Sequence, residues 1–339
     1  MNFTQNLNTI IAGRDLTEEA SADMITDIFS GQITEAQIGA FMAALATKGE
    51  TFEELAGAAR AMRRKAVRIQ ALSKKVIDTC GTGGDSSGSF NISTTTAFVV
   101  AGAGVTVAKH GNRSISSKCG SADVLEELGV NLSVDPEVVE EAVNEIGIGF
   151  MFAPLYHGSM KYAGKARQDC RIRSIFNMLG PLTNPAAASC QLLGVFSPQL
   201  TEMFAQALKL LGVEKALVVH GHDGMDEITT TDLTRITELD RGVIRSYDLD
   251  PLDFFDDFAA PEDLLGGDVK TNAAITRAIL EGETGPRRDI VLLNAGAALV
   301  AADVADSIKA GIELAADALD TKKGLEKLEA LADYTHENG

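Results

Sequence analysis

Residues 76–98, "VIDTCGTGGDSSGSFNISTTTAF", decide the fold. The first six form an apolar run of strand character. The apolar "VVAGAGV" follows the stretch directly. Between the two buried-looking segments lie four glycines, Gly81, Gly83, Gly84 and Gly88, and a run of Ser, Thr and Asn. Glycine loses more conformational freedom on folding than any other residue. A loop this rich in it needs positive φ angles, or room for something to approach its backbone. Strand, Gly-rich loop and small-residue helix together make the start of a βα unit. In parallel α/β sheets ligands bind at the carboxyl ends of strands, beside helix N-termini. Free N–H groups and the positive end of the helix dipole suit phosphate there. The loop matches neither the P-loop pattern nor G-x-G-x-x-G, and is read as an anion-binding loop of another kind.

Downstream, the grammar of the stretch repeats. "VTVAKHG" is a second strand, "ADVLEELG" and "DPEVVEEAVNEIG" are helices, and "IGFMFAP" is a strand. Asp135 caps the second of those helices and Pro136 takes its first position. "TEMFAQALKLLG" then reads as a helix and "KALVVHG" as a strand. This alternation predicts an α/β fold, a mostly parallel sheet with helices on its faces. "ITTTDLTRITELDRGVIRSYDL" alternates with period two around "DRG" and predicts an antiparallel hairpin. "DIVLLNAGAALVAA" is read as strand then helix, and the C-terminus as helical.

Upstream, the first seventy residues carry only helical signals. Thr17, Thr34 and Thr51 are N-cap candidates, Thr51 with Glu54 in capping-box spacing, and Gly31 and Gly49 are stops. Ile38, Phe41, Met42 and Leu45 recur at helical spacing. The expected division is a small helical domain over 1–72, completed by about 170–188. A large α/β domain takes 73–169 and 189–339.

Composition narrows the function. Lys+Arg of 30 against Asp+Glu of 48 gives a net charge of −18. So acidic a surface repels a nucleic-acid backbone, so no nucleic-acid partner is expected. The four cysteines are widely spaced, with no CxxC pair, which argues against a zinc site or a disulfide framework. No apolar run approaches the roughly 18 residues of a membrane span, and the N-terminus has no signal-peptide pattern. A cytoplasmic setting with no membrane partner is the expectation.

Three more loops could carry chemistry. After "VTVAKHG", Lys109, His110, Asn112, Arg113 and Lys118 cluster at a strand's carboxyl end, a second cationic loop on a successive βα unit. After "KALVVHG", Asp226 and Glu227 are adjacent carboxylates in a Gly-containing loop. Such hard oxygen ligands suit Mg²⁺, which keeps waters and bridges to substrate phosphates. The segment 153–185 carries His157, Lys161, Lys165, Arg167, Arg171 and Arg173, and ends in the rigid turn "LGPLTNP". An isolated His is more often structural than a ligand, and Arg171 and Arg173 are open to pairing with surface acids.

In order along the chain, "GTGGD", "NISTT", "KHGNR", "GSADVLEELG", "RSIFNMLGPLTNP" and "DGMDEI" resemble the anthranilate phosphoribosyltransferase family. The likeness covers almost the whole chain. It implies a homodimer formed through a small helical domain, with a large α/β domain similar to the class II nucleoside phosphorylases. It also implies transfer of the phosphoribosyl group of 5-phosphoribosyl-1-diphosphate (PRPP) to anthranilate in tryptophan biosynthesis, with about two Mg²⁺ per subunit. By match of motif, Gly81, Gly83, Gly84 and Asp85 would line the diphosphate and ribose site. Asn91, Ser93, Thr94 and Thr95 would hold phosphate oxygens, and Lys109 and Ser121 would contact the phosphoribosyl part. Ser93, Asp226 and Glu227 would hold metal. The anthranilate side would use Gly81, Asn112, His157 and Arg167, with Gly180 and Pro181 near the ring. Lys109, Asp85 and Arg167 would carry catalysis. Departures are Gly158-Ser159 where the family often has Pro-Ala, Arg171 where it often has Gly, and Cys119 where Ser or Gly is more usual. They bear on the shape of the anthranilate tunnel. The rival readings are a pyrimidine nucleoside phosphorylase of similar fold and a catalytically inactive, nucleic-acid-binding relative.

Overall fold

The computed structural model describes residues 2–114 and 119–339. Lys118 and the Ser-rich turn before it lie outside the described residues.

The chain opens with α1 (Phe3–Ile11), α2 (Glu18–Phe29), α3 (Glu35–Lys48) and α4 (Phe52–Lys65). Thr17, Thr34 and Thr51 cap α2, α3 and α4 through their side chains, and Thr51 and Glu54 close the expected capping box. α1 has its own box, Asn2 with Gln5, a signal the sequence reading passed over.

The α/β part runs β1 (Val76–Gly81), α5 (Ile92–Gly102), β2 (Thr106–Gly111), α6 (Ser121–Glu127), α7 (Pro136–Glu145) and β3 (Ile148–Phe152). α8 (Ala153–Tyr156) and α9 (Lys161–Cys170) lead to β4 (Cys190–Gly194), α10 (Leu200–Leu210) and β5 (Lys215–Gly221). The hairpin β6 (Thr234–Asp240) and β7 (Val243–Leu249) turns at Arg241 and Gly242, as the period-two pattern predicts. α11 (Val269–Glu281), α12 (Pro286–Ala301), α13 (Ile308–Asp320) and α14 (Lys323–Glu337) complete it.

Among the described residues these strands form one sheet of order β3-β2-β1-β4-β5-β6-β7. The first five are parallel; β6 runs antiparallel to β5, and β7 antiparallel to β6. The strand order reverses between β1 and β4, the switch point where open α/β sheets bind ligands. One core joins the sheet to α5 and α11–α14 through Ile77, Val107, Leu192 and Leu217. The other joins the opposite face to α10, α2–α4 and α9 through Leu193, Ala216 and Val218. Neighbours along a strand thus alternate between the two cores, as the pleat requires.

Two expectations need correction. "DIVLLNAGAALVAA" contains no strand: it is the single helix α12, with Pro286 at its first turn and burial nearly all round. A helix enclosed on every side has no polar stripe, so its sequence mimics a buried strand. The strand β4 was not anticipated. Its five residues are all buried, too short a run to show a period. The 170–188 segment, expected to complete the helical domain, puts Ile175, Phe176, Met178, Leu179 and Leu182 into the second core. α9, expected in the large domain, packs on α2 and α3 in that same core.

Candidate active site

β2 delivers two adjacent residues to opposite faces of the sheet. Lys109 turns toward α5: its Nζ donates to the carbonyl of Thr79 and stands 3.5 Å from Ser93 Oγ. His110 turns toward the helical part. Its backbone N–H donates to Asp78 Oδ1 at 3.2 Å, and its Nδ1 lies 3.2 Å from the Gly180 carbonyl. The site therefore has two halves, one on each side of the end of β2.

On the Lys109 side three acids converge. Gly83 N–H donates to Asp226 Oδ2 at 2.8 Å, and Asp226 N–H to Asp85 Oδ2 at 3.4 Å. Glu227 Oε1 accepts the Ser93 N–H at 3.1 Å. Glu227 thereby serves the N-terminus of α5, where Asn91 makes no side-chain cap. Burial pushes Asp226 up to about 7, reinforced by the charge of Asp85. Burial likewise pushes Glu227 up to about 8, reinforced by Asp226. Burial lowers the proton affinity of Lys109, opposed by Asp78, Cys80 and Glu227.

Glycines make room for this cluster. A Cβ on Gly81 would stand 2.5 Å from Asp226 Oδ2, and one on Gly194 would overlap the Asp226 carbonyl. Gly83 and Gly84 have φ of +67° and +78°, angles that other residues rarely adopt. Among the described residues no group of three or more His, Cys, Asp or Glu forms a ready-made metal cage. The donor set still fits Mg²⁺, which takes one or two carboxylates and completes its shell with waters and substrate phosphates. Two crowded carboxylates that resist ionising together are relieved by a divalent cation.

The hydroxyl run divides. Ser93 faces Lys109 and Glu227. Thr94 and Thr95 are buried, and the Thr95 hydroxyl donates to the Asn91 carbonyl at 3.0 Å. Thr94 Oγ1 is buried without a partner among the described residues. The Thr95 N–H also donates to the Asn91 carbonyl, at 3.0 Å, which leaves Thr95 no free donor for a phosphate from side chain or backbone. Asn91 Oδ1 accepts from Asn272 Nδ2 at 2.9 Å, so its amide is oriented from α11.

On the His110 side, His157 Nε2 lies 3.2 Å from His110 Nε2, with the rings edge to face at 5.0 Å. Burial lowers His110 to about 3 and His157 to about 4, so both are neutral at pH 7. The Gly180 carbonyl assigns the proton of His110 to Nδ1, leaving its Nε2 to accept from His157. Arg167 is half-buried, its guanidinium 5.7 Å from the centre of the Phe176 ring. Its side chain makes no hydrogen bond or ion pair among the described residues. Burial lowers its proton affinity. Ser121 Oγ donates to the Asn112 carbonyl at 3.3 Å, which brings these two candidates together beside Gly111.

Two arginines depart from expectation. Arg113 is not free for a ligand: it pairs with Asp123 at 2.9 Å and Glu126 at 2.8 Å and lies over Phe152. Arg173 pairs with no acid among the described residues. It donates to the Gly84 carbonyl at 3.0 Å and stacks 3.9 Å over the Phe196 ring, bracing the glycine loop. No spacing in the sequence could have linked Arg173 to a loop 89 residues away. Arg171 ends α9 in the left-handed region at φ +51°, which explains why a glycine suits that position. A Cβ on Gly158 would meet nothing within 4 Å, so this departure does not answer a packing need.

The likeness to known proteins covers both parts of the chain. The helical bundle domain model of a glycosyl transferase family matches residues 4–66, and the a/b domain model of a glycosyl transferase family matches 73–325. The chain is 65% identical to anthranilate phosphoribosyltransferase of Desulfosudis oleivorans, over 99% of this chain and 100% of that one. The crystal structure of anthranilate phosphoribosyltransferase from Thermus thermophilus superposes with a TM-score of 0.93 at 40% identity, over 98% of this chain and 99% of that one. The Saccharomyces cerevisiae enzyme in complex with PRPP and Mg gives a TM-score of 0.90 at 25% identity, over 99% and 98%. With a fold matched from end to end and relatives of this identity, the chain belongs to the anthranilate phosphoribosyltransferase family.

Proposed function

We propose that this chain catalyses the reaction its relatives are named for, transfer of the phosphoribosyl group of PRPP to the amine of anthranilate. The observation that carries this reading is the split at β2, with Lys109 and three acids on one side and a neutral histidine pair with an unpaired arginine on the other. The C1–oxygen bond to diphosphate breaks with its electron pair leaving on oxygen, and the amine nitrogen forms the new bond to C1. The nitrogen then loses one proton to solvent or diphosphate.

Negative charge grows on the leaving group. Lys109 and the amides of Gly84 and Asp85, which make no hydrogen bond among the described residues, supply preorganised donors for it. Asp226 and Glu227 would hold Mg²⁺ with Ser93, and about two ions per subunit are proposed from the resemblance. Bound there, Mg²⁺ neutralises diphosphate charge as a Lewis acid. Asp85 orients the loop through the Asp226 N–H. Asn91, Ser121 and Thr94 complete the PRPP side, while Thr95 gives both its N–H and its hydroxyl to the Asn91 carbonyl. On the acceptor side Arg167 would fork onto the anthranilate carboxylate. Asn112, His157, Gly180 and Pro181 would frame the ring, and Gly81 lies between the halves. The depressed histidines are poor bases, and the aromatic amine is neutral at pH 7. Positioning is left as the main source of rate.

The proposed assembly is a homodimer through the helical part, and the proposed setting is cytoplasmic. No helix is long and apolar enough to cross a membrane among the described residues. The test is loss of anthranilate fluorescence on adding PRPP and Mg²⁺. Transfer should require both, and its absence with folded protein would refute the assignment.

A further inference from the structure

The turn Gly180–Leu182 presents three successive carbonyls, each met by a side chain from a different element. His110 Nδ1 on β2 takes Gly180, at 3.2 Å. Gln191 Nε2 on β4 takes Pro181, at 2.5 Å. Arg63 Nε on α4 takes Leu182, at 2.6 Å. Asn184, just beyond, donates to Asp78 Oδ2 at 2.7 Å and to the Ala108 carbonyl at 2.8 Å. A buried carbonyl without a partner is costly, so these contacts fix the place of the turn.

Gln191 differs from the other two. Its side chain is 97% buried, since only 3% of the residue is exposed. It pairs in register with Asp78 of β1, on the face that looks toward the helical part. The second N–H of its amide donates to Cys80 Sγ at 3.1 Å. Cys80 directly precedes Gly81 of the donor loop. One amide thus ties the strand that launches the donor loop to the wall that faces the acceptor.

We propose that Gln191 is a positioning residue that sets the acceptor wall through Pro181 and fixes its distance from the donor loop through Cys80. It acts from behind the turn, with both N–H groups committed to protein acceptors. The inference rests on the reading of Gly180 and Pro181 as the acceptor wall.

Gln191→Met keeps the length of the side chain and removes both donors. The KM for anthranilate should rise about tenfold, the size of one lost buried hydrogen bond. The KM for PRPP should stay within about twofold, while kcat should fall because the distance between the two walls is no longer fixed. Gln191→Glu supplies the second measurement. A protonated carboxyl donates to Pro181 as the amide does and a carboxylate cannot. Its anthranilate KM should approach the wild-type value at low pH and rise with pH relative to wild type. A merely structural role would not produce that recovery.

Equal rises in both KM values would overturn the proposal, as would an unchanged anthranilate KM in folded Gln191→Met. If Gln191→Met does not fold, the pH series of Gln191→Glu decides alone, and a flat series overturns the proposal. Absence of PRPP-dependent transfer in the wild-type protein would sink the assignment of function and this inference together. Wild-type transfer with an indifferent Gln191 would sink the inference only.

Discussion

The two halves of the site are built by opposite means. The proposed donor half is made of charge: three acids, one lysine and a glycine loop whose Gly83 N–H already serves Asp226. Asp226 and Glu227 are crowded and hold protons strongly. The acceptor half is made of neutral, buried groups: two histidines that hold protons weakly, a turn pinned by side chains, and one unpaired arginine. On the proposed function, a cation and phosphates would relieve the first half, whereas a flat carboxylated ring would fill the second without disturbing its charge. The difference teaches that one strand end can serve two chemistries because successive side chains face opposite ways.

The largest effect that would test this division is at the acids. Asp226→Asn with Glu227→Gln should lower kcat/KM for PRPP by about a hundredfold or more, the scale of a lost electrostatic partner of the leaving group. Direct binding of anthranilate, followed by its own fluorescence, should be nearly unchanged. Comparable loss in both titrations would erase the division. Next is Arg167→Ala, which removes a charge-assisted contact. The anthranilate KM should rise about ten- to a hundredfold, with PRPP binding nearly intact. A smaller effect is expected at Gly194→Ala, where the new methyl would press on the Asp226 carbonyl. Overpacking of this kind costs about 1–3 kcal/mol. Thermal unfolding should drop by several degrees and the PRPP KM should rise more than the anthranilate KM.

The smallest effect is a pair of opposite pH slopes. His110 and His157 sit below the ordinary histidine value, so the unfolded chain binds more protons than the folded one. Their contribution to stability is fully present above about pH 6.5 and is lost as pH falls toward 4 and 3. Asp226 and Glu227 sit above the ordinary carboxylate value. Their contribution is present below about pH 4 and is lost as pH rises through 7 and 8. In the absence of divalent cation, His157→Gln should flatten the acid side of the melting curve against pH. Asp226→Asn should flatten the neutral side instead. Identical curves for the two variants would show that the halves are not electrostatically distinct.

Much of the donor half was legible in the sequence. "VIDTCG" and "VTVAKHG" are strands that end in glycine where the chain must open, and the Asp226–Glu227 pair follows another strand. The glycine loop could be read because its conformational cost demands a reason. What stayed hidden depends on contacts between distant segments. Gly194 matters only because the Asp226 carbonyl lies against it, and β4 is too short to announce itself. Arg173 braces Gly84 across 89 residues. Thr94 and Thr95 carry the right chemistry for phosphate, yet their side chains turn into the core, a matter of helix phase that composition does not reveal. α12 was misread because an enclosed helix loses the polar stripe that marks its period. On the acceptor side both histidines were visible but their pairing was not. Spacing gave no hint that His110 and His157 meet.

The most direct test of the division compares two neighbours on β2. Michaelis constants for PRPP and for anthranilate should be measured in Lys109→Met and in His110→Ala. The division predicts that Lys109→Met lowers kcat and weakens PRPP while the anthranilate KM changes by less than about threefold. It predicts the reverse pattern of KM values for His110→Ala. If each substitution moves both constants by the same factor, the two halves are one undivided site and the account is contradicted.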